Sequence, residues 1–156
     1  MDKKRKRRIL FCGIVLICNL LFIWGNSLMP GHISAAISGL ARRLLSGLVS
    51  GEVPEDVPAG EGLLRKIAHV LEFCSLGFFS SLFLHLMKKK YLLSLGLGFL
   101  TGCIDECIQL FVPERGPHFR DVLIDTLGVI AGIGVFTIAL LLRNRKKQSL
   151  LEDNKS

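Results

Sequence analysis

Long apolar runs constrain this chain more than any other feature of its sequence. Half of its 156 residues are hydrophobic, and most of these are gathered into four stretches. An α-helix needs about 20 such residues to cross a hydrocarbon core of roughly 30 Å, and it satisfies its own backbone hydrogen bonds there. A membrane barrel would instead show short segments of alternating polarity. We therefore expect an all-α fold. Specifically, we predict one integral membrane bundle over residues 1–156, with four transmembrane helices at 9–29, 63–87, 91–112 and 120–142.

Clusters of lysine and arginine border the apolar runs and predict their orientation. They lie at 3–8 before the first run, at 88–90 between the second and third, and at 143–147 after the fourth. Because basic residues accumulate on the cytoplasmic side, we expect a multi-pass protein of the cell membrane with both termini cytoplasmic. The formal net charge of +7 implies no nucleic-acid partner, since no basic patch is interleaved with aromatic residues for base stacking.

The segment 30–62, between the first two runs, is then an extracytoplasmic loop. Its first half predicts an amphipathic helix, because apolar residues recur at helical spacing. Such a helix lies in the outer headgroup region or forms a lid over a site. The second half, 50–62, combines proline, glycine and acidic residues and predicts an irregular exposed loop. The apolar positions of the helix are Ile33, Ile37, Leu40, Leu44 and Leu48.

The five cysteines all fall inside apolar runs, and none forms a C-x-x-C pair. This pattern is typical of small buried hydrophobic residues rather than of a disulfide framework or a zinc site. We therefore expect no cofactor and no resident metal. The expected partner is the lipid bilayer, and the sequence leaves the oligomeric state open.

Ionisable and polar side chains concentrate towards the outer ends of the second, third and fourth runs. Insertion of each ionisable group in a membrane helix costs at least ~2.5 kcal/mol of free energy, so each such group needs a neutralising partner or a functional role. At ~1.5 Å of rise per residue, the groups lie at overlapping depths of ~8–13 Å, and those of one run share a face. We therefore expect a single outward-facing polar pocket. Its candidate binding residues are Lys66, His69, Glu72, Asp105, Glu106, Gln109, Arg115, Arg120, Asp121 and Asp125, with Arg65 beside them.

Two G-x-x-x-G pairs continue these polar faces towards the cytoplasmic side. Gly98 and Gly102 lie on the third run, and Gly128 and Gly132 lie on the fourth. Because such pairs allow close approach of two backbones, we expect the third and fourth helices to touch through glycine in the inner half of the membrane.

The spacing of the polar residues carries a family resemblance. After Lys66 come H-x-x-E-F at 69–73, D-E-x-x-Q-x-F-x-P-x-R at 105–115 and R-D-x-x-x-D-x-x-G at 120–128. In this pattern the chain resembles the VanZ-like family of bacterial membrane proteins, the family of the teicoplanin-resistance protein. The resemblance implies a cell-envelope protein linked to glycopeptide resistance, and it implies no particular reaction. Asp125 stands where many members have asparagine, which adds a negative charge.

Several functions remain open for the pocket. The first is binding of a cell-wall precursor or lipid head group. Its phosphate or carboxylate would be bound by the basic side chains of Arg65, Lys66, Arg115 and Arg120. The second is an intramembrane enzyme that uses acid and base groups or a divalent metal. Its catalytic candidates are His69, Glu72, Asp105 and Glu106. The third is a small transporter. A purely structural ion network is the alternative to all three.

Overall fold

The computed structural model describes residues 2–50, 63–116 and 118–153. This part of the chain is all-helical and contains no strand, as expected from the sequence. Of the acidic loop predicted over 50–62, residue 50 is the last residue of a helix, and residues 51–62 lie outside the described residues. The five helices are α1 Lys3–Ser27, α2 Gly31–Ser50, α3 Leu63–Leu86, α4 Leu93–Gln109 and α5 Phe119–Asp153.

Three of these helices are long and apolar enough to cross a membrane. They are α1, α3 over Leu64–Leu86, and α5 over Phe119–Glu152. The helix α4 has 17 residues, fewer than the 91–112 segment predicted from the apolar run. It is shorter because Lys90–Leu92 and Leu110–Arg115 form hydrogen-bonded turns at its two ends.

Two helices extend beyond the apolar runs that predicted them. The helix α1 begins at Lys3, where the side chain of Asp2 accepts a hydrogen bond from the backbone N–H of Lys4. The helix α5 continues past residue 142 to Asp153. Lysine, arginine, glutamine and leucine are good helix formers, so the helices do not stop where the apolar residues do. The predicted bounds therefore marked the change in polarity and not the helix ends.

The helix α3 lies at the centre of the bundle and contacts each of the other four helices. Its residues Phe73 and Leu76 are fully buried, together with Ile23 of α1 and Val129 of α5. In contrast, large apolar side chains on the outer faces are exposed, such as Phe11 on α1 at 64%. Polar side chains are buried inside the bundle. This distribution is opposite to that of a water-soluble protein and is typical of a protein that faces lipid.

The glycine pairs bring helices together, but in a different arrangement from the one expected. On α4, Gly98 packs against Val129 of α5, as the sequence predicted. On α5, however, Gly128 and Gly132 pack against the backbone of α3 and not against α4. The prediction that both pairs form one α4–α5 contact is therefore wrong. The helices α3 and α5 approach most closely because glycine has no side chain to separate them.

Most hydroxyl side chains inside the bundle are satisfied within their own helix. Each donates a hydrogen bond of 2.6–2.8 Å to the carbonyl oxygen four residues earlier. The donors are Ser80, Ser81, Thr101, Thr126 and Thr137. These groups need no partner from a neighbouring helix.

Two contacts define the two ends of the bundle. At one end, Arg5 of α1 donates hydrogen bonds of 3.0 and 2.6 Å to the carbonyl oxygen of Leu86, the last residue of α3. The basic clusters at 3–8 and 88–90 therefore lie at the same end. At the opposite end, the backbone N–H of Gly31 donates to the carbonyl oxygen of Pro113. The polar side chains predicted to form a pocket lie at this second end.

Candidate functional site

Asp105 of α4 lies at the centre of the polar side chains and is fully buried. One of its carboxylate oxygens accepts a hydrogen bond from the hydroxyl of Ser27, the last residue of α1. The other accepts from the side-chain amide of Gln109, at 2.8 Å. The amide oxygen of Gln109 in turn accepts from Arg65 of α3, at 3.2 Å. Three helices thus hold this carboxylate in one orientation.

His69 of α3 and Asp125 of α5 face each other beside Asp105. The His69 Nδ1 atom lies 3.9 Å from an oxygen of Asp125, which is 2% exposed. One ligand atom from each of the three residues can be chosen so that all lie within 4.8 Å of one another. Gly128 of α5 packs against the Val70 backbone and the Cβ of Phe73 in α3, and Gly102 of α4 lies next to the Phe73 ring and Asp125. The absence of side chains at these two glycines allows α3, α4 and α5 to meet at this level.

Two further carboxylates lie nearer to the turn between α4 and α5. One oxygen of Glu106 accepts a hydrogen bond of 2.6 Å from the backbone N–H of His118. Its other oxygen is buried and has no hydrogen-bond partner among the described residues. Asp121 lies 3.8 Å from the ammonium group of Lys66, whose side chain is half exposed. The ion pair between Lys66 and Asp121 is partly exposed to solvent and therefore contributes little to stability.

Arg115, in the turn after α4, is partly buried at this end of the bundle. It donates a hydrogen bond of 3.1 Å to the carbonyl oxygen of Ser27. Its Nε atom is buried and has no partner in the part of the chain that the structure describes. Burial lowers the pKa of the Arg115 guanidinium from its usual value. The side chain thus presents a desolvated donor, which an anion would satisfy.

A cavity of about 340 Å³ opens between α3, α4, α5 and the turn before α5. Seven of the residues predicted to bind a ligand line it, as does Arg65. The lining residues are Arg65, Lys66, His69, Glu106, Gln109, Glu114, Arg115, Gly116, His118, Asp121, Ile124 and Asp125. The cavity therefore mixes basic and acidic groups.

A smaller cavity of about 110 Å³ adjoins the first and lies between α1, α2 and α3. Arg65, His69 and Arg115 line both cavities. Glu72 lines only this one, and its carboxylate accepts a hydrogen bond of 2.6 Å from the side chain of Asn26. The remaining lining is largely apolar or small and includes Met29, Ile37 and Ala68.

The structure divides the predicted site residues into four groups. Most of them line the larger cavity, whereas Glu72 lines the smaller one. Asp105 lines neither and lies behind His69 and Asp125 as a buried group. Arg120 is exposed at the start of α5 and does not line the larger cavity.

Sequence reasoning missed several residues that hold the site together. Asn26 and Ser27 bind the carboxylates of Glu72 and Asp105, although they belong to the first apolar run. Their polarity at the end of that run was the available signal. Glu114 was also missed. It accepts hydrogen bonds from the backbone and side chain of His32 and fixes the start of α2 against the turn.

Comparison with known proteins gives one match. A family model described as VanZ/LLP1 matches residues 10–142, which include all the cavity-lining residues. No curated protein and no solved structure matches the chain.

Proposed function

The chain belongs to the VanZ/LLP1 family, and from this premise we propose that it is a four-span protein of the cell envelope that binds an anionic head group in its polar cavity. The head group is a phosphate or carboxylate, carried by a lipid or by a lipid-linked cell-wall precursor. In this proposal, the bound head group alters what a glycopeptide such as teicoplanin can reach.

The proposed topology places the basic end of the bundle in the cytoplasm and the cavity outside. The basic clusters at 3–8 and 88–90 support this orientation, because they lie at the end opposite to the cavity. As the fourth span, α4 is ~26 Å long at 1.5 Å per residue, and the turns at its ends add to that length. The helix α2 then lies in the outer headgroup region, with Ile33 and Leu40 exposed to lipid.

The observation that supports the binding proposal most directly is the unpaired Nε of Arg115. Its buried Nε lacks a partner within the described residues, and the side chain lines both cavities together with Arg65. Two arginines in one pocket match the oxygens of a phosphate or carboxylate. Two acidic residues of the cavity face basic side chains other than these arginines, so they compete little with an anion for the arginines. Asp121 faces Lys66, and Asp125 faces His69.

The smaller cavity favours a ligand that carries an apolar chain. Met29, Ile37 and Ala68 lie next to the same two arginines. An ionic group at the arginines would therefore be continuous with an apolar surface between α2 and α3. This combination fits a membrane lipid better than a free anion, because burial of each methylene contributes about 0.8 kcal/mol.

Binding can be measured through Trp24, the single tryptophan, which lies two residues before Asn26 of the smaller cavity. The purified protein in detergent would be titrated with dihexanoyl phosphatidic acid, and its fluorescence recorded. We expect saturable binding, and binding at least about tenfold weaker in Arg115→Ala, because a hydrogen bond to a charged group contributes ~1.5–3 kcal/mol. Arg143→Ala is the matched control, since it removes the same charge from an exposed position on α5. Equal affinity for dihexanoyl phosphatidylcholine, or unchanged binding in Arg115→Ala, would contradict the proposal.

The orientation needs a separate experiment. In a cysteine-free background, Ser50→Cys should react with a membrane-impermeant thiol reagent in intact cells, and Lys89→Cys should not. The reverse pattern would overturn the proposed topology but not the existence of the cavity.

A further inference from the structure

The grouping of His69, Asp105 and Asp125 on three different helices goes beyond a site for an anion. One ligand atom from each residue lies within 4.8 Å of the others, at the buried wall of the larger cavity, where His69 and Asp125 line the cavity and Asp105 lies behind them. We propose that these three side chains bind a divalent transition-metal ion, with zinc as the probe ion. The site is distinct from the arginines of the head-group proposal, so either proposal can fail without the other.

The distances are close to those of a bound ion. A zinc ion with bonds of about 2 Å holds the ligand atoms of a tetrahedral site about 3.3 Å apart. His69 Nδ1 and the Asp125 oxygen are already at 3.9 Å. Contraction of the triad by less than about 1.5 Å per pair would complete the geometry, and rotation of side chains can supply it.

The charges also favour a cation at this position. Asp105 is 0% exposed and Asp125 is 2% exposed. Within the described ranges, no lysine or arginine forms an ion pair with either carboxylate, and only His69 approaches Asp125. Two buried carboxylates at this separation repel each other unless a proton or a metal ion lies between them. A divalent ion neutralises both.

Asp105 is held in the way that metal ligands are held in proteins. Its two oxygens accept hydrogen bonds from Ser27 and Gln109, which fix the plane of the carboxylate. Each oxygen retains a second lone pair for a metal ion. Outer partners of this kind orient the ligands of metal sites.

Glu106 supplies an independent indication of a missing ligand. Its side chain is 7% exposed and lines the same cavity as His69 and Asp125. One carboxylate oxygen is buried without a hydrogen-bond partner among the residues that the structure covers. A metal ion or its bound water would satisfy this oxygen.

The ligand set indicates which class of ion would bind. Carboxylates alone suit magnesium and calcium, whereas one imidazole with two carboxylates suits zinc, manganese or iron. With three protein ligands, the remaining coordination positions would face the cavity and hold water or an oxygen of a second ligand. The affinity would therefore be highest for a transition-metal ion and low for calcium.

Metal binding to the full-length protein in detergent tests the proposal directly. After chelator treatment and exchange into metal-free buffer, the wild-type protein would be titrated with Zn²⁺ by calorimetry. Bound zinc would then be counted by elemental analysis. We expect about one ion per chain, and at least tenfold weaker binding in both His69→Ala and Asp125→Asn. His85→Ala is the matched control, because it removes a histidine from the opposite end of α3.

X-ray absorption at the zinc edge separates this site from the cysteines of the bundle. A shell of nitrogen and oxygen atoms is expected, and it should be lost in His69→Ala. A sulfur shell, or a wild-type protein that retains no zinc, would overturn the proposal. The same conclusion would follow if His69→Ala bound zinc as tightly as the wild type. Both wild-type measurements remain decisive if a variant does not fold.

Discussion

Replacement of Gly132 by alanine tests the closest contact in the bundle, where α5 lies on the backbone of α3. A Cβ atom at this position would lie 2.8 Å from the backbone nitrogen of Phe78 and still closer to the carbonyl oxygen of Cys74. Ordinary van der Waals contact begins near 3.4 Å. Because both obstacles are backbone atoms, no side chain can rotate away. The two helices must separate by about 1 Å or more.

The expected change in the free energy of unfolding follows from two opposing contributions. Overpacking of a close contact costs ~1–3 kcal/mol. Replacement of glycine by alanine in a helix contributes up to ~1 kcal/mol in the other direction. Gly134 is the matched control, because a Cβ there has no atom within 4 Å and gains only the helix contribution. Gly132→Ala should therefore be ~1–3 kcal/mol less stable than Gly134→Ala.

Unfolding in mixed micelles, followed by circular dichroism as the fraction of sodium dodecyl sulfate rises, measures this difference. The comparison of two alanine variants on one helix cancels changes in helix propensity and in detergent binding. Equal stability of Gly132→Ala and Gly134→Ala would refute the close contact between α3 and α5. It would also remove the reason why His69 and Asp125 meet.

Three further predictions use other contacts. Ser27→Ala removes the hydroxyl that donates to the most buried carboxylate and should cost ~1–2 kcal/mol in the same unfolding assay; unchanged stability would contradict that bond. Hydrogen bonds from His32 lower the pKa of Glu114 below its usual 4.5, so this contact should persist at pH 4.5 and weaken only as the pH falls through the lowered pKa. Protection of the His32 backbone amide from hydrogen exchange should fall over that pH range. This change should be absent in Glu114→Gln. Arg5→Ala should cost ~1–2 kcal/mol, whereas the exposed Arg7→Ala should cost less than ~0.5 kcal/mol, and equal losses would argue against the Arg5 bond.

The helical class and most of the cavity residues could be predicted from the sequence. Apolar runs have a fixed physical meaning in lipid, so they identified α1, α3 and α5, which are long and apolar enough to cross a membrane. The interval of four residues placed Arg65 and His69 on one face of α3, and both line the larger cavity. The same reasoning predicted a helix over 33–49, and the structure has it at Gly31–Ser50.

The pairing of side chains could not be predicted in the same way. Periodicity shows which face of a helix is polar, but not which neighbouring helix that face meets. The sequence grouped His69 with Glu72, because they lie three residues apart. In the structure, Glu72 accepts a hydrogen bond from Asn26, and His69 approaches Asp125. The same limit explains why Gly132 was assigned to the wrong neighbour.

The hydroxyl groups that bond within their own helices have a consequence for biosynthesis. A serine or threonine that already donates to its own backbone adds little to the free-energy cost of helix insertion. The carboxylates lack such local partners: Asp105 depends on Ser27 of another helix, and Asp125 on His69. The helices α3, α4 and α5 therefore enter the bilayer with most of their hydroxyls satisfied and their buried acids unsatisfied. Association of the inserted helices is then the step that satisfies the acids, so a chain with an incomplete site should remain a target for quality-control proteases of the membrane.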